Sequence, residues 1–324
     1  MLLKILKANP LLLLVSGIAF CTLLWAVSFL HPNETSYSYT DITLLAPLFD
    51  RVYDFPLVKG ILGLALLLLM AGLWNRIVNK HSLLKQSTYF PFFFILILLS
   101  CRASLIGFYP ALAACLFLVL FLDRMISSYK KERANSNIFD SGLFIGIATL
   151  FYIPSILFLI VLWIGLFTIR TINGREWSCS VIGFLLPFVF AFTYNLVFYP
   201  NYHWYNKIAG VFIYRTVHFS FSWEQITIIV IMLLAAFLSV WFFINKVGDN
   251  ILKTQKFWNL LLWFMLASVV TVIFCPVKDS RAFAILAIPG SFVLSAYFLR
   301  TRAKLLPELL FLLLVAAVIV SMFF

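Results

Sequence analysis

Long apolar runs, separated by short polar and charged breaks, follow one another along the whole chain. A helix needs about 20 apolar residues to cross ~30 Å of hydrocarbon. These runs are continuous rather than alternating, which favours membrane helices over the strands of a membrane barrel. The predicted spans are residues 10–30, 56–74, 87–101, 107–122, 178–199, 222–245, 257–275, 283–299 and 308–324.

One further apolar run, 141–169, is too long for one upright span and short for two. Pro154 lies at its centre, where a proline breaks or kinks a helix. We therefore predict a tight pair of short helices that enters and leaves the membrane on the same side. With this pair, the pattern predicts an all-α integral membrane protein of about eleven hydrophobic helices, in a single polytopic membrane domain over 1–324.

Composition supports a membrane environment. The chain is 64% hydrophobic and 11% charged, whereas soluble domains carry about 25% charged residues. A water-soluble fold of 324 residues could not bury this much apolar surface. The composition therefore excludes an ordinary soluble protein.

The net charge of +12 is distributed unevenly over the loops. Most Lys and Arg residues fall on one side if the N-terminus is cytoplasmic, and basic loops face the cytoplasm in membrane proteins. We therefore predict a cytoplasmic N-terminus, outer loops at 31–55, 200–221 and 276–282, and a bacterial inner-membrane location. Contact with anionic membrane lipid explains the basic loops, so no nucleic-acid partner is predicted.

The first outer loop concentrates acidic side chains: Glu34, Asp41, Asp50 and Asp54. Asp50 and Asp54 are four residues apart, so both face the same way on a short helix. Such carboxylates could act as a general base or hold a divalent cation. They could equally be ordinary solvated loop acids, and the spacing alone leaves both readings open.

Basic residues at the outer ends of spans are the second group of candidates. Lys278 and Arg281 lie together on the loop 276–282, and Lys59 and Arg102 lie at other outer span ends. Arg binds phosphate through two parallel hydrogen bonds, and Lys adds a point charge. Alternatively, these side chains extend to the interface as amphipathic residues commonly do.

The remaining candidates are weaker. His203 and His218 on the loop 200–221 could serve as acid, base or metal ligand, or simply line the interface. No phosphate-binding glycine loop and no Cys/His cluster occurs, so no cofactor is predicted beyond a divalent cation, and the metal stays undetermined. Few ionisable residues lie deep in a span, which argues against an ion-coupled transporter.

Four stretches resemble the GT-C class of membrane glycosyltransferases: the acid-bearing loop after the first span, FPLVKGILG, FDSGLFIGIATLFYIP and KDSRAFAILAIPGSFVLSAYFL. The resemblance implies a GT-C-like topology and transfer of a sugar from a polyprenyl-phosphate carrier on the outer face. It assigns the base to Asp41 or the Asp50/Asp54 pair, and the phosphate to Lys278 and Arg281. The chain is also similar to a family of uncharacterised bacterial multi-pass inner-membrane proteins.

The first outer loop is shorter and begins with fewer acids than is usual for GT-C enzymes. This difference keeps a second hypothesis open, in which the chain is a non-catalytic membrane subunit or scaffold that binds lipid or a membrane protein partner. A lipid or small-molecule transporter is a third hypothesis, for which the spans offer little polar lining.

Overall fold

The computed structural model describes residues 9–30, 43, 45, 55–84, 86–101, 105–131, 133–169, 173–198, 252–273, 280–300 and, in part, 308–319. Within these ranges every regular element is helical. The α-helices are α1 (Pro10–Leu30), α2 (Pro56–Lys80), α3 (Phe90–Leu99), α4 (Pro110–Ser127), α5 (Asn135–Phe151), α6 (Phe158–Ile169), α7 (Gly174–Phe198), α8 (Leu252–Ile273) and α9 (Ala284–Arg300). Helical residues recur between 308 and 319.

Four of the described helices are long and apolar enough to cross a membrane, which indicates a membrane protein. They comprise Leu57–Lys80, Pro110–Ser127, Gly174–Phe198 and Thr254–Val272. The prediction of an all-α membrane protein is thus confirmed. The count of about eleven spans and the topology across the membrane stay predictions.

Proline marks where several helices begin. Pro56 opens α2 and Pro110 opens α4, and Pro91 lies in the first turn of α3. The first N–H groups of a helix have no partner within it, so a proline there loses no hydrogen bond, and its fixed φ already suits the helix. The chain can therefore start these helices without side-chain caps.

The run 141–169 is broken at its proline, as the sequence predicts. A 3-10 turn that contains Pro154 separates α5 from α6. Asp140 of α5 lies 3.5 Å from Arg124 near the C-terminus of α4. Gly165 of α6 faces the nearby Met125 side chain so closely that an added methyl group would lie 2.6 Å from its Cε. Helix α5 therefore begins, and helix α6 ends, near the C-terminal end of α4.

Contacts between α2 and α4 define the two ends of the bundle. Lys80 Nζ lies 3.0 Å from an oxygen of Asp123, so both helices end together, at what we call the Asp123 end. At the opposite end, the Phe108 N–H donates to the Lys59 carbonyl oxygen at 2.9 Å. We call this the Tyr109 end, after the residue that precedes α4.

Helix α3 is buried along its whole length and lies at the centre of the described core. The Phe94 ring contacts the rings of Phe298 and Phe311 at centroid distances of 5.3 and 6.4 Å. Trp25 Nε1 donates to the Ser100 hydroxyl at 3.1 Å just beyond α3. A buried indole N–H needs such a partner because neither lipid nor an apolar core accepts its hydrogen bond.

Helices α5 and α7 pack in parallel at very short distance. A methyl group at Gly142 would lie 2.3 Å from the Ser180 carbonyl oxygen, and one at Gly146 would lie 2.5 Å from that of Phe184. On the other side, a methyl group at Gly183 would lie 2.3 Å from the Phe139 carbonyl oxygen. Small residues four apart allow membrane helices to approach in this way.

Charge differs sharply between the two ends among the residues that the structure describes. Lys59 and Arg281 are the basic residues at the Tyr109 end. Those on helix turns or loops towards the Asp123 end are Arg76, Lys80, Arg124, Lys130, Lys131, Arg133, Arg175, Lys253, Lys256 and Arg300. By the positive-inside rule this asymmetry favours a cytoplasmic Asp123 end.

Candidate functional site

Two of the predicted site residues, Lys59 and Arg281, lie in the described part of the chain. The other candidates lie outside the described residues: Glu34, Asp41, Asp50, Asp54, Arg102, His203, His218 and Lys278. The geometry of the site is therefore built from the two cations and the residues around them.

Lys59 lies in the first turn of α2 and packs on the loop before α4. Its carbonyl oxygen accepts the Phe108 N–H at 2.9 Å. Gly107 has a φ of +108°, a region that side chains disfavour, and a methyl group there would lie 3.5 Å from the Lys59 Cε. The glycine thus allows the loop this conformation, and the lysine side chain lies beside it at ordinary contact distance.

Gly63, one turn further along α2, brings the same loop still closer. A methyl group at Gly63 would lie 2.3 Å from the Gly107 carbonyl carbon. The backbone of 105–109 therefore rests directly on α2, which fixes the position of Tyr109 at the start of α4.

Arg281 reaches this loop from the C-terminal part of the chain. It lies in the 3-10 turn Ser280–Phe283 before α9, and it is only 5% exposed. Its guanidinium carbon lies 5.9 Å from the centroid of the Tyr109 ring, a distance at which a cation is attracted to the ring face. Tyr109 is itself 1% exposed.

The structure thus brings both described cations to one short segment, 105–109, at the Tyr109 end. The N-terminus of α4 follows directly at Pro110, and the positive end of its dipole adds to the potential there. This combination of a buried arginine, a lysine and a helix N-terminus suits an anionic group such as a phosphate.

The acid-bearing loop has two described residues, Thr43 and Leu45, and both lie at the end of α5. The Thr43 hydroxyl donates to the Leu150 carbonyl oxygen at 3.2 Å, and the Leu45 N–H donates to the Thr43 hydroxyl oxygen. The C-terminus of α5 lies away from the Asp123 end, so these residues belong to the Tyr109 end. Thr43 follows Asp41 by two positions in the sequence.

An apolar groove of about 750 Å³ runs between α5 and α7 beside Leu45. The residues that line it are Leu45, Leu143, Ile147, Leu150, Leu186, Pro187, Phe190, Ala191, Thr193, Tyr194, Val197 and Phe198. Sequence reasoning missed the groove because its residues look like any lipid-facing helix surface.

A second polar cluster that sequence reasoning missed lies at the Asp123 end. One oxygen of Asp123 lies 3.0 Å from Lys80 Nζ and 2.9 Å from His81 Nε2. These contacts join the C-terminal ends of α2 and α4. Within the described ranges, no three His, Cys, Asp or Glu side chains gather as metal ligands would.

Comparison with known proteins gives one match. Residues 39–324 match DUF6427, which is described as a family of unknown function. No curated protein and no solved structure matches the chain. The comparisons therefore do not show the resemblance to GT-C glycosyltransferases. Because the matched region covers most of the sequence, the chain belongs to the DUF6427 family.

Proposed function

We propose that this protein is a GT-C-like glycosyltransferase of the bacterial inner membrane, which takes a sugar from a polyprenyl-phosphate carrier at the outer face. The Tyr109 end would face outwards. The observation that carries the proposal is the burial of Arg281 beside Tyr109, with Lys59 on the same segment. Lys59 and Arg281 are the basic residues that the structure describes at the Tyr109 end, so they are the proposed partners of a lipid phosphate there.

In the proposed reaction, a carboxylate accepts the proton of the acceptor hydroxyl, and the hydroxyl oxygen forms the new bond to the anomeric carbon of the sugar. The bond from that carbon to the phosphate oxygen breaks, and the carrier phosphate leaves with the electron pair. Asp41, Asp50, Asp54 and Glu34 are the candidates for the base. Cations that stabilise the charge on the leaving phosphate lower the barrier most.

Arg281 and Lys59 would hold the departing phosphate, with Lys278 and Arg102 as further candidates on the outer loops. A divalent cation held by the acidic loop could share this task. His203 and His218 remain outer-face candidates for acid–base work.

Carrier binding by Arg281 variants tests the proposal. We expect Arg281→Ala to weaken binding of a polyprenyl phosphate about 10- to 100-fold, because a hydrogen bond to a charged group contributes about 1.5–3 kcal/mol. Binding would be measured with the purified protein in lipid nanodiscs. Arg281→Lys should retain part of the affinity, since it keeps the charge and loses the paired hydrogen bonds.

Arg124→Ala is the matched control, because Arg124 is an arginine at the Asp123 end and pairs with Asp140. It should bind the carrier as the unchanged protein does. Equal binding by Arg281→Ala and Arg124→Ala would contradict the proposal.

A non-catalytic membrane subunit is the second candidate, and the apolar groove between α5 and α7 favours it. Along the groove, α7 exposes Phe190, Val197 and Phe198, a surface that a lipid chain or the helix of a membrane protein partner could cover. Sugar transfer separates the two candidates. Carrier binding that depends on Arg281, without transfer to any acceptor, would support the subunit, whereas transfer that Asp41→Asn abolishes would support the enzyme.

A further inference from the structure

Two lysines from distant parts of the chain converge at the Asp123 end. Lys130 follows α4, and Lys256 lies near the start of α8. Their ammonium nitrogens lie 5.7 and 5.5 Å from the centroid of the same ring, that of Tyr129. Both positive charges therefore lie near one ring, where an anion would be attracted to the pair.

The backbone at Lys130 and a hydrogen bond of Lys256 add to this arrangement. Lys130 adopts a φ of +57°, a left-handed conformation that lysine rarely takes. Lys256 Nζ also donates to the carbonyl oxygen of Ile169, the last residue of α6, at 3.3 Å. The ends of α4, α6 and α8 thus meet around Tyr129.

No carboxylate among the described residues compensates these two charges. A salt bridge requires nitrogen and oxygen within 4.0 Å, and neither ammonium has such a contact in the described part of the chain. At this end of the bundle, Asp123 binds Lys80 and Asp140 binds Arg124. An anion that binds these lysines would therefore come from outside the described residues.

The location of the lysines favours a lipid over a soluble anion. Tyr129 follows the candidate span Pro110–Ser127 by two positions. At the adjoining end of α6, the Trp177 ring stacks on Trp163 at 5.5 Å and meets Phe167 at 5.1 Å. Tryptophan is enriched at the depth of lipid headgroups, so we expect this end of the helices to lie at that depth.

We propose that Lys130 and Lys256, arranged around Tyr129, bind the headgroup phosphate of an anionic phospholipid at the Asp123 end. This site is separate from the proposed carrier site at the Tyr109 end and does not depend on it. Anionic lipids are concentrated in the cytoplasmic leaflet, where the Asp123 end is predicted to lie.

The test measures which lipids stay bound to the full-length protein. The protein is extracted from vesicles of phosphatidylcholine and phosphatidylglycerol, and the lipids that it retains are counted by native mass spectrometry. We expect the unchanged protein to retain phosphatidylglycerol preferentially. Lys130→Asn/Lys256→Gln should lower this preference about fivefold for each lysine removed. Asn suits the left-handed backbone at 130, so the fold should tolerate this change.

Arg133→Gln/Arg175→Gln is the control, since it removes the same charge from exposed residues of this end that make no contact with the Tyr129 ring. The control should keep the preference. An equal loss in both double variants, or a loss in neither, would overturn the proposal. Inorganic phosphate that competes with the lipid as effectively as phosphatidylglycerol itself would overturn the lipid assignment. If the double variant fails to fold, the single variant Lys130→Asn takes its place in the test. An unchanged preference for phosphatidylglycerol in that variant would equally contradict the proposed site.

Discussion

Gly63 and Gly107 determine how closely α2 approaches the loop that carries Tyr109. A side chain at Gly63 would overlap the Gly107 backbone, and the φ of +108° at Gly107 favours glycine there. The sequence identified Lys59 as a candidate because its positive charge near the outer end of a span could bind an anionic headgroup. It could not predict the contact with Gly107, because that contact depends on how distant segments pack.

At this scale we predict that Gly63→Ala destabilises the protein. Its new methyl group would lie 2.3 Å from the Gly107 carbonyl carbon, so α2 and the loop must separate. Overpacking of this kind costs about 1–3 kcal/mol, and displacement of Tyr109 should also weaken carrier binding. Thermal unfolding in detergent, followed by the carrier-binding measurement, checks both effects.

Gly72→Ala in the same helix is the matched control. No atom lies within 4 Å of a methyl group at Gly72, and alanine in a helix interior is favoured over glycine by about 0.5–1 kcal/mol. This variant should be as stable as the unchanged protein or slightly more stable. If Gly63→Ala unfolds at no lower temperature than Gly72→Ala, then α2 does not approach the segment 105–109 as closely as described.

At the scale of helices, the sequence predicted where a helix breaks but not which helices pack against each other. The break between α5 and α6 follows from Pro154, whose effect is confined to its own turn. The parallel packing of α5 on α7 depends on Gly142 and Gly183, which are far apart in sequence. Hydrophobic periodicity indicates that a helix is buried in lipid or protein, but it does not indicate which neighbouring helix it packs against.

The same distinction explains what the sequence revealed of the candidate site. Residue type and position pointed to Arg281 as a phosphate ligand, since an arginine at an outer span end is rare under the positive-inside rule. Its burial against Tyr109 was not predictable, because Tyr109 belongs to a distant helix start. The apolar groove was missed for a similar reason, as its two walls are separated in sequence by α6.

For the whole molecule, the distribution of charge between the two ends predicts orientation. In a background without native cysteines, Phe55→Cys at the Tyr109 end and Ser136→Cys at the Asp123 end place one thiol at each exposed end. An impermeant thiol reagent applied to intact cells should label the first variant only. Ser136→Cys should react once the cells are opened. Labelling of Ser136→Cys from outside the cell would show that the orientation is the opposite of the predicted one, with Arg281 on the cytoplasmic face.

The most direct test of the proposed carrier site is a density map of the protein in nanodiscs with a bound polyprenyl phosphate. Our account predicts phosphate density within hydrogen-bond distance of the Arg281 guanidinium, close to the segment 105–109 and on the side of Lys59. Carrier density elsewhere on the bundle, with the Arg281 guanidinium enclosed by protein groups alone, would contradict it.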